Sequence, residues 1–318
     1  MKDVSDKIST QRIAEAKATL RLSPSTVEKI KNHSLPKGNA LEVAKVAAIQ
    51  AAKNTHQIIP YCHPIPVDFV GVEYDIDEDS VCVRTKVKAI YKTGVEMEAL
   101  TSASVAVLTI YDMVKMFDEL AEIEGVTLLS KSGGKSDFYK KTKCQDLKAR
   151  VIVLSDSLSQ GKGEDKSGKT IVEHLISIGF TPENIELKII ADDPDELSLL
   201  ISEAIDQKSF DLVVTTGGTG VSPTDNTFSC LQNLIEKPLP GVVEAIRTYG
   251  QKRNPLAMLS RQVAGTRGNA LIVSLPGSTS GVKDAMIAAF PHVLHSLDML
   301  RGNKHEHAKS KQTSASSK

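Results

Sequence analysis

At 318 residues the chain is too long for one ordinary hydrophobic core and points to about two domains. Basic and acidic residues balance at 39 each, and aromatics make up 4% with no Trp. That balance offers no global field to draw in nucleic acid or an anionic membrane, and no platform for base stacking.

The opening MKDVSDKISTQRIAEAKATLRL lacks the apolar core of a signal peptide. Cys62, Cys82, Cys144 and Cys230 are scattered and form no C-x-x-C, which fits a reducing compartment, so a cytoplasmic location is expected. Residues 40–54 (ALEVAKVAAIQAAKN) carry apolar side chains at helical spacing. VDFVGVEYDID and VCVRTKVKAIY alternate like strands around a DEDS turn. The run EALTSASVAVLTIYDMVKMFDEL reads as an apolar helix, and its stretch ALTSASVAVLTIY is well short of the ~20 residues that span a bilayer. GVTLLSKSG then closes the first half as a strand. Helices set against antiparallel strands predict an α+β sandwich.

The Lys-rich segment 136–150 separates the halves, with the boundary expected near Lys143–Leu147. The expected domains are 1–142 and 148–302, followed by a polar, disordered tail at 303–318. The second half alternates strand and helix: RVIVLS, KTIVEHLISIG, IELKIIA, DELSLLISEAI and FDLVVTTGG. Two more helical stretches lead to the strand NALIVSLPG and the helix GVKDAMIAAFPHVLHSLDML. This rhythm predicts an α/β, doubly wound parallel sheet.

In the first half, Asp112 and Lys115 stand at i, i+3, on one helix face with Cβ atoms ~5–6 Å apart. Two readings are open: the start of an exposed helix end, or a desolvated pair whose pKa values are tuned for proton transfer. Glu96, Met97 and Glu98 precede the same helix, where acidic residues also suit the macrodipole. PYCHPIP presents Tyr61, Cys62 and His63 between prolines. KSGGKS sets Lys131 and Lys135 around a Gly pair without the spacing of a P-loop, and Lys37 enters a helix from a loop.

Together KGNALEVAKVAAIQAAK, IPYCHP, KTGVEMEALTSASVAVLTIYDMVK and LLSKSGGKS resemble the cyclic pyranopterin monophosphate synthase (MoaC) family over residues 1–138. The resemblance implies a ferredoxin-like fold, hexamers built as trimers of dimers, and no cofactor. It also implies conversion of a cyclised dihydro-GTP to cyclic pyranopterin monophosphate and pyrophosphate. Asp112 and Lys115 fall on the catalytic pair. Tyr61, Cys62, His63, Glu96, Met97, Glu98, Lys37 and Lys131 fall on substrate-contacting positions.

In the second half, TTGGTG ends a strand where open α/β sheets bind ligands. Thr216, Gly217, Gly218, Thr219 and Gly220 suit an anion or a tight turn. Asp192 and Asp225, from separate strand ends, could hold Mg²⁺ against a nucleotide, and each alone is equally an exposed loop residue. Ser278 opens a helix after LPG. The order SDS…IIADD…TTGGTG…D…LPGVVEAIR…LSRQV…LPGS resembles the molybdopterin adenylyltransferase (MoaB/MogA) family over residues 149–301. This implies a trimeric, Rossmann-like molybdopterin-binding domain that transfers AMP from Mg-ATP, with Asp192 and Asp225 essential. Ser155, Asp156, Glu244, Ser260, Pro276, Gly277 and Ser278 fall on positions lining the pterin and nucleotide clefts. The loop departs from the family, with Thr224 where Arg is frequent and Phe228 where Pro is. The expectation is a bifunctional homo-oligomeric enzyme. The alternative is that the second half is a non-catalytic pterin-binding, oligomerising module.

Overall fold

Ala14, Ala16, Ala18 and Leu20 are fully buried at every second position of Thr10–Arg21, and this period-two burial makes the segment a strand, β1. The sequence reading passed over it, because its alternating buried positions are Ala and Leu, none of them β-branched, and Ala is the best helix former. β1 nevertheless lies inside its sheet. It pairs antiparallel with β3 (Ser80–Tyr91) on one side and β4 (Glu122–Ser132) on the other, while β2 (Phe69–Ile76) flanks β3. The strand order is β2-β3-β1-β4.

The computed structural model describes residues 1–134, 144–223 and 225–302. The expectations placed on Lys135, Thr224 and the 303–318 tail lie outside the described residues. The chain divides into two compact units, Met1–Lys140 and Lys141–Lys318.

In the first unit, α1 is Pro24–Lys31, α2 is Ala40–Lys53, α3 is the single turn Thr55–Ile58 and α4 is Glu96–Val114. Asn39 caps α2, its side chain accepting from the backbone N–H groups of Leu41 and Glu42. Ala44, Ala48 and Ala52 of α2 share a core with Ala99, Ala103 and Ala106 of α4. These small side chains let the helices approach closely enough for Ser102 Oγ to donate to the Ala48 carbonyl at 3.0 Å. At 19 residues α4 is longer than its apolar stretch suggested. Among the described residues it alone is long and apolar enough to cross a membrane, yet half of its apolar window is buried inside the protein. It is the core helix of this unit.

The second unit has a six-stranded sheet of order β6-β5-β7-β10-β9-β8. Its strands are β5 (Ala149–Leu154), β6 (Ile185–Ile190), β7 (Leu212–Thr216), β8 (Lys237–Pro238), β9 (Ala264–Arg267) and β10 (Ala270–Leu275). β5, β7 and β10 are buried along their whole length, as continuous apolar runs require when helices cover both faces. The sheet is parallel from β6 to β10, but β9 and β8 add antiparallel to one edge, so it is mixed. The helices are α5 (Asp156–Ser159), α6 (Ser167–Ser177), α7 (Pro194–Ser202), α8 (Thr227–Leu234), α9 (Pro240–Gln251), α10 (Thr279–Ala289) and α11 (His295–Leu300). The expected single helix over 281–300 is two, α10 and α11. Pro291 lacks the N–H that would continue the ladder and steers Phe290 into extended backbone, which ends α10.

Candidate active sites

In the first unit the expected pair stands at the last turn of α4. Lys115 Nζ lies 2.7 Å from Asp112 Oδ1. Lys37, from the loop before α2, places its Nζ 3.0 Å from Oδ2 and donates to the Asp112 carbonyl at 2.8 Å. One carboxylate is therefore gripped by two ammonium groups. The hydrogen bond from Lys115, then that from Lys37, holds the Asp112 carboxyl below its ordinary range, and the same contact raises the Lys115 ammonium. Asp112 is the anion and Lys115 carries the proton. The side chains are 57% and 50% exposed, so a single chain does not desolvate the pair. The exposed helix end, one of the two readings open from the sequence, describes the burial, while Lys37 adds the second cation.

The other expected residues gather at the opposite end of the same helix. Glu98, in the first turn of α4, is 3% exposed, and its Oε2 has no hydrogen-bond partner. Burial foremost, with Glu96 adding repulsion, pushes its carboxyl up to about 7. Cys62 is raised by its own burial and by the charge of Glu98, which places the two near each other. Glu96 pairs with Lys131 on β4 at 3.2 Å. His63 Nε2 is 2.8 Å from the Lys2 carbonyl, and Lys92 Nζ donates to the Ser5 carbonyl at 3.0 Å. The opening segment is thereby tied to this end, and Lys92 is a cation the sequence reading did not single out. Tyr61 is 77% exposed and Met97 is also exposed. Glu98 and Asp112 lie 14 residues apart on one helix, hence ~21 Å along its axis. One copy of the chain does not unite the two groups.

In the second unit the loop after β7 is shaped by contacts only glycine permits. Gly217 has φ +102°, and a Cβ there would lie 2.2 Å from the Leu154 carbonyl oxygen. Gly218, at φ +60°, faces Thr227 Oγ1 and Asp192 Oδ1, and Gly220 faces Asp225 Oδ2. Both aspartates thus rim the same loop. Asp192 Oδ1 is buried without a partner. The Asp192 carboxyl is raised by burial first, then by Asp156 and Asp225. The orphaned buried oxygen of Asp192 stands where Asp156 and Asp225 add negative charge. This arrangement fits Mg²⁺ held by two protein carboxylates and substrate phosphates, although no group of three or more Asp, Glu, His or Cys among the described residues is arranged to hold a metal alone.

Asp156 Oδ1 accepts from the Asp192 N–H at 3.0 Å, and Ser155 caps α5. Thr216 Oγ1 donates to the Pro276 carbonyl at 2.7 Å, and Ser260 Oγ to Thr219 Oγ1 at 3.1 Å. Ser278 caps α10, accepting from the Gly281 N–H. A cavity of about 240 Å³ between β5, α6 and the loop is lined by Ser155, Thr216, Gly217 and Gly277. Sequence reasoning quoted LSRQV without using Arg261. Its guanidinium donates to the Gly220 and Asp225 carbonyls at 2.7 and 2.6 Å and lies 5.7 Å from the Phe228 ring, clasping the loop. Glu244 is exposed and does not line the cavity.

Residues 1–134 match the model of the MoaC family, and residues 150–295 match that of a probable molybdopterin binding domain. A molybdenum cofactor biosynthesis bifunctional protein of Chlorobaculum tepidum is 40% identical over 96% of this chain and 96% of its own length. The chain belongs to that bifunctional family. A cyclic pyranopterin monophosphate synthase of Aquifex aeolicus is 48% identical over 88% of this chain and 92% of its own. Among solved structures, the molybdopterin biosynthesis Mog protein of Mycobacterium ulcerans is 36% identical, covering 48% of this chain and 99% of that one with a TM-score of 0.45. The two matched regions fall on separate compact units, each with its own polar cluster.

Proposed function

We propose that the first unit converts (8S)-3′,8-cyclo-7,8-dihydroguanosine 5′-triphosphate to cyclic pyranopterin monophosphate and pyrophosphate, and that the second adenylylates molybdopterin with Mg-ATP. The observation that carries the first assignment is Asp112 gripped between Lys37 and Lys115. An ionised carboxylate touching a protonated amine supplies a base and an acid within reach of one substrate atom. Lys37, His63 and Lys131 offset triphosphate charge. The sheet order β2-β3-β1-β4, with helices following β1 and β3, supports reading this unit as ferredoxin-like.

A triphosphate ligand cannot touch both ends of α4 within one copy. We infer that a second copy contributes its Glu98 end to the first copy's Asp112 end, in a trimer or hexamer, which would also supply the desolvation one chain lacks. In the second unit Asp192 and Asp225 would hold Mg²⁺, which would offset the negative charge of the substrate phosphates. The loop N–H groups and the α10 N-terminus receive the anion. Arg261 keeps the loop in register, so the missing Arg at position 224 does not leave it without a cation.

Separate assays test the two halves of the full chain. Asp112→Ala and Lys115→Ala are expected to abolish cyclic pyranopterin monophosphate formation while AMP transfer to molybdopterin persists. Asp225→Ala is expected to do the reverse. Near-normal turnover in any of the three refutes the role given to that residue. Intact folding with no AMP transfer in the parent chain would leave the second unit as a binding module.

A further inference from the structure

Lys37 reaches Asp112 from an exposed loop, and an exposed ion pair is a weak tether. Water screens its charges, and two long side chains have to be ordered to form it. The Lys37 side chain is 40% exposed and that of Asp112 57%. Yet Lys37 Nζ meets two oxygens of the last turn of α4 at once, Asp112 Oδ2 at 3.0 Å and the Asp112 carbonyl at 2.8 Å. Attraction alone does not keep so long an arm in one place, so the backbone beneath it has to be fixed.

The chain on either side of Lys37 supplies that support. Leu35 and Ala40 are both buried in the core of the first unit, and the Gly38 N–H closes a turn onto the Leu35 carbonyl at 3.0 Å. Asn39 then starts α2 with both of its oxygens. Its side chain accepts from the Leu41 and Glu42 N–H groups at 3.1 and 3.3 Å, and its carbonyl accepts from the Val43 N–H at 3.2 Å. From β2, Tyr74 Oη donates to the Leu41 carbonyl at 2.7 Å and ties this first turn to the sheet. These bonds run to α2 and not to Asp112.

We propose that Asn39 and Tyr74 are positioning residues for the chemistry of the first unit: by fixing the first turn of α2 they hold Lys37 on Asp112. The assignment rests on the reading of Asp112 and Lys115 as base and acid, and it adds the groups that set their geometry. With Lys37 in place, Asp112 turns Oδ2 to Lys37 and Oδ1 to Lys115, which fixes the plane of the carboxylate. When the first turn of α2 frays, Lys37 swings into water and the carboxylate is left to rotate about its contact with Lys115. Its proton affinity then recovers in part, because Lys115 lowers it most and Lys37 next.

The test follows the Asp112 titration in the full chain by carboxyl-carbon NMR of isotope-labelled aspartate, with Asp112→Asn identifying the signal. Formation of cyclic pyranopterin monophosphate is measured in parallel. Asn39→Ala and Tyr74→Phe are each expected to raise the Asp112 midpoint towards the ordinary carboxylate value. Both should slow turnover roughly tenfold, since misplacing a catalytic group by about 1 Å costs that much or more. Asn39→Asp keeps the capping acceptor and should restore both readouts. Lys37→Met should raise the midpoint as well, and adding Asn39→Ala to it should move the midpoint no further, because the effect passes through Lys37. If Asn39→Ala and Tyr74→Phe leave midpoint and turnover as in the parent, the assignment is overturned. It is equally overturned if Asn39→Ala shifts the midpoint again in the Lys37→Met chain, since the cap then acts by another route. If the parent forms no cyclic pyranopterin monophosphate, the reading of the first unit fails, and the titration by itself decides whether Asn39 and Tyr74 hold Lys37.

Discussion

Replacing Glu98 by Gln removes a buried carboxyl whose proton is coupled to the stability of the first unit. The folded chain holds that proton up to about pH 7 because burial penalises the anion, whereas the ordinary value is 4.5. Between these values the native state binds more protons than the unfolded state, so stability falls as pH rises. The contribution is complete below the unfolded value and is lost as pH passes the folded one. At about 1.4 kcal/mol per tenfold change in proton affinity, the loss reaches roughly 3 kcal/mol by about pH 8. Glu98→Gln has no proton to lose, so its stability relative to the parent should rise by that amount between about pH 5 and about pH 8. Urea unfolding of the full chain, followed by far-UV circular dichroism across that range, gives the difference between the two proteins. Its low-pH offset reports how well the amide fits, and its pH dependence reports the proton alone. A difference that stays flat with pH would refute the burial argument.

Two further outcomes follow from the second unit. Gly217→Ala meets a positive φ and a backbone carbonyl at 2.2 Å. Left-handed strain of ~1–2 kcal/mol and overpacking of ~1–3 kcal/mol should lower the thermal midpoint of this unit by several degrees, and calorimetry showing no shift would contradict the loop geometry. Arg150 is fully buried on β5, where its guanidinium donates to Glu186, Glu203 and the Leu200 carbonyl. Arg150→Ala removes a buried cation from between two carboxylates that each keep only a lysine, Glu186 with Lys188 and Glu203 with Lys208. It should cost about 2–4 kcal/mol in denaturant unfolding, whereas a loss under about 1 kcal/mol would mean that water replaces the guanidinium.

The local pattern carried most elements and their order. Alternating VCVRTKVKAIY, the buried runs RVIVLS and ALIVSL, and the helix opening at Ser278 are short-range signals that need no partner to be read. So are the motif residues, because TTGGTG and TIYDMVK hold their chemistry within one turn. β1 was not legible: three of its four buried positions are Ala, the best helix former and a poor strand signal, and only pairing with β3 and β4 on both sides selects the strand. The antiparallel β9 escaped for a related reason, since its direction is set by the edge of β10 that it meets.

Burial and pairing were likewise decided in three dimensions. Lys37 reaches Asp112 across 75 positions of sequence. Which carboxylates ionise freely (Asp112) and which are held back (Glu98, Asp192) depends on how many packed atoms and charges surround each oxygen, a property no residue carries by itself. Residue order determined which chemistry this chain could hold. Tertiary structure decided that Asp112 faces solvent between two lysines while Glu98, on the same helix, lies buried at the other end.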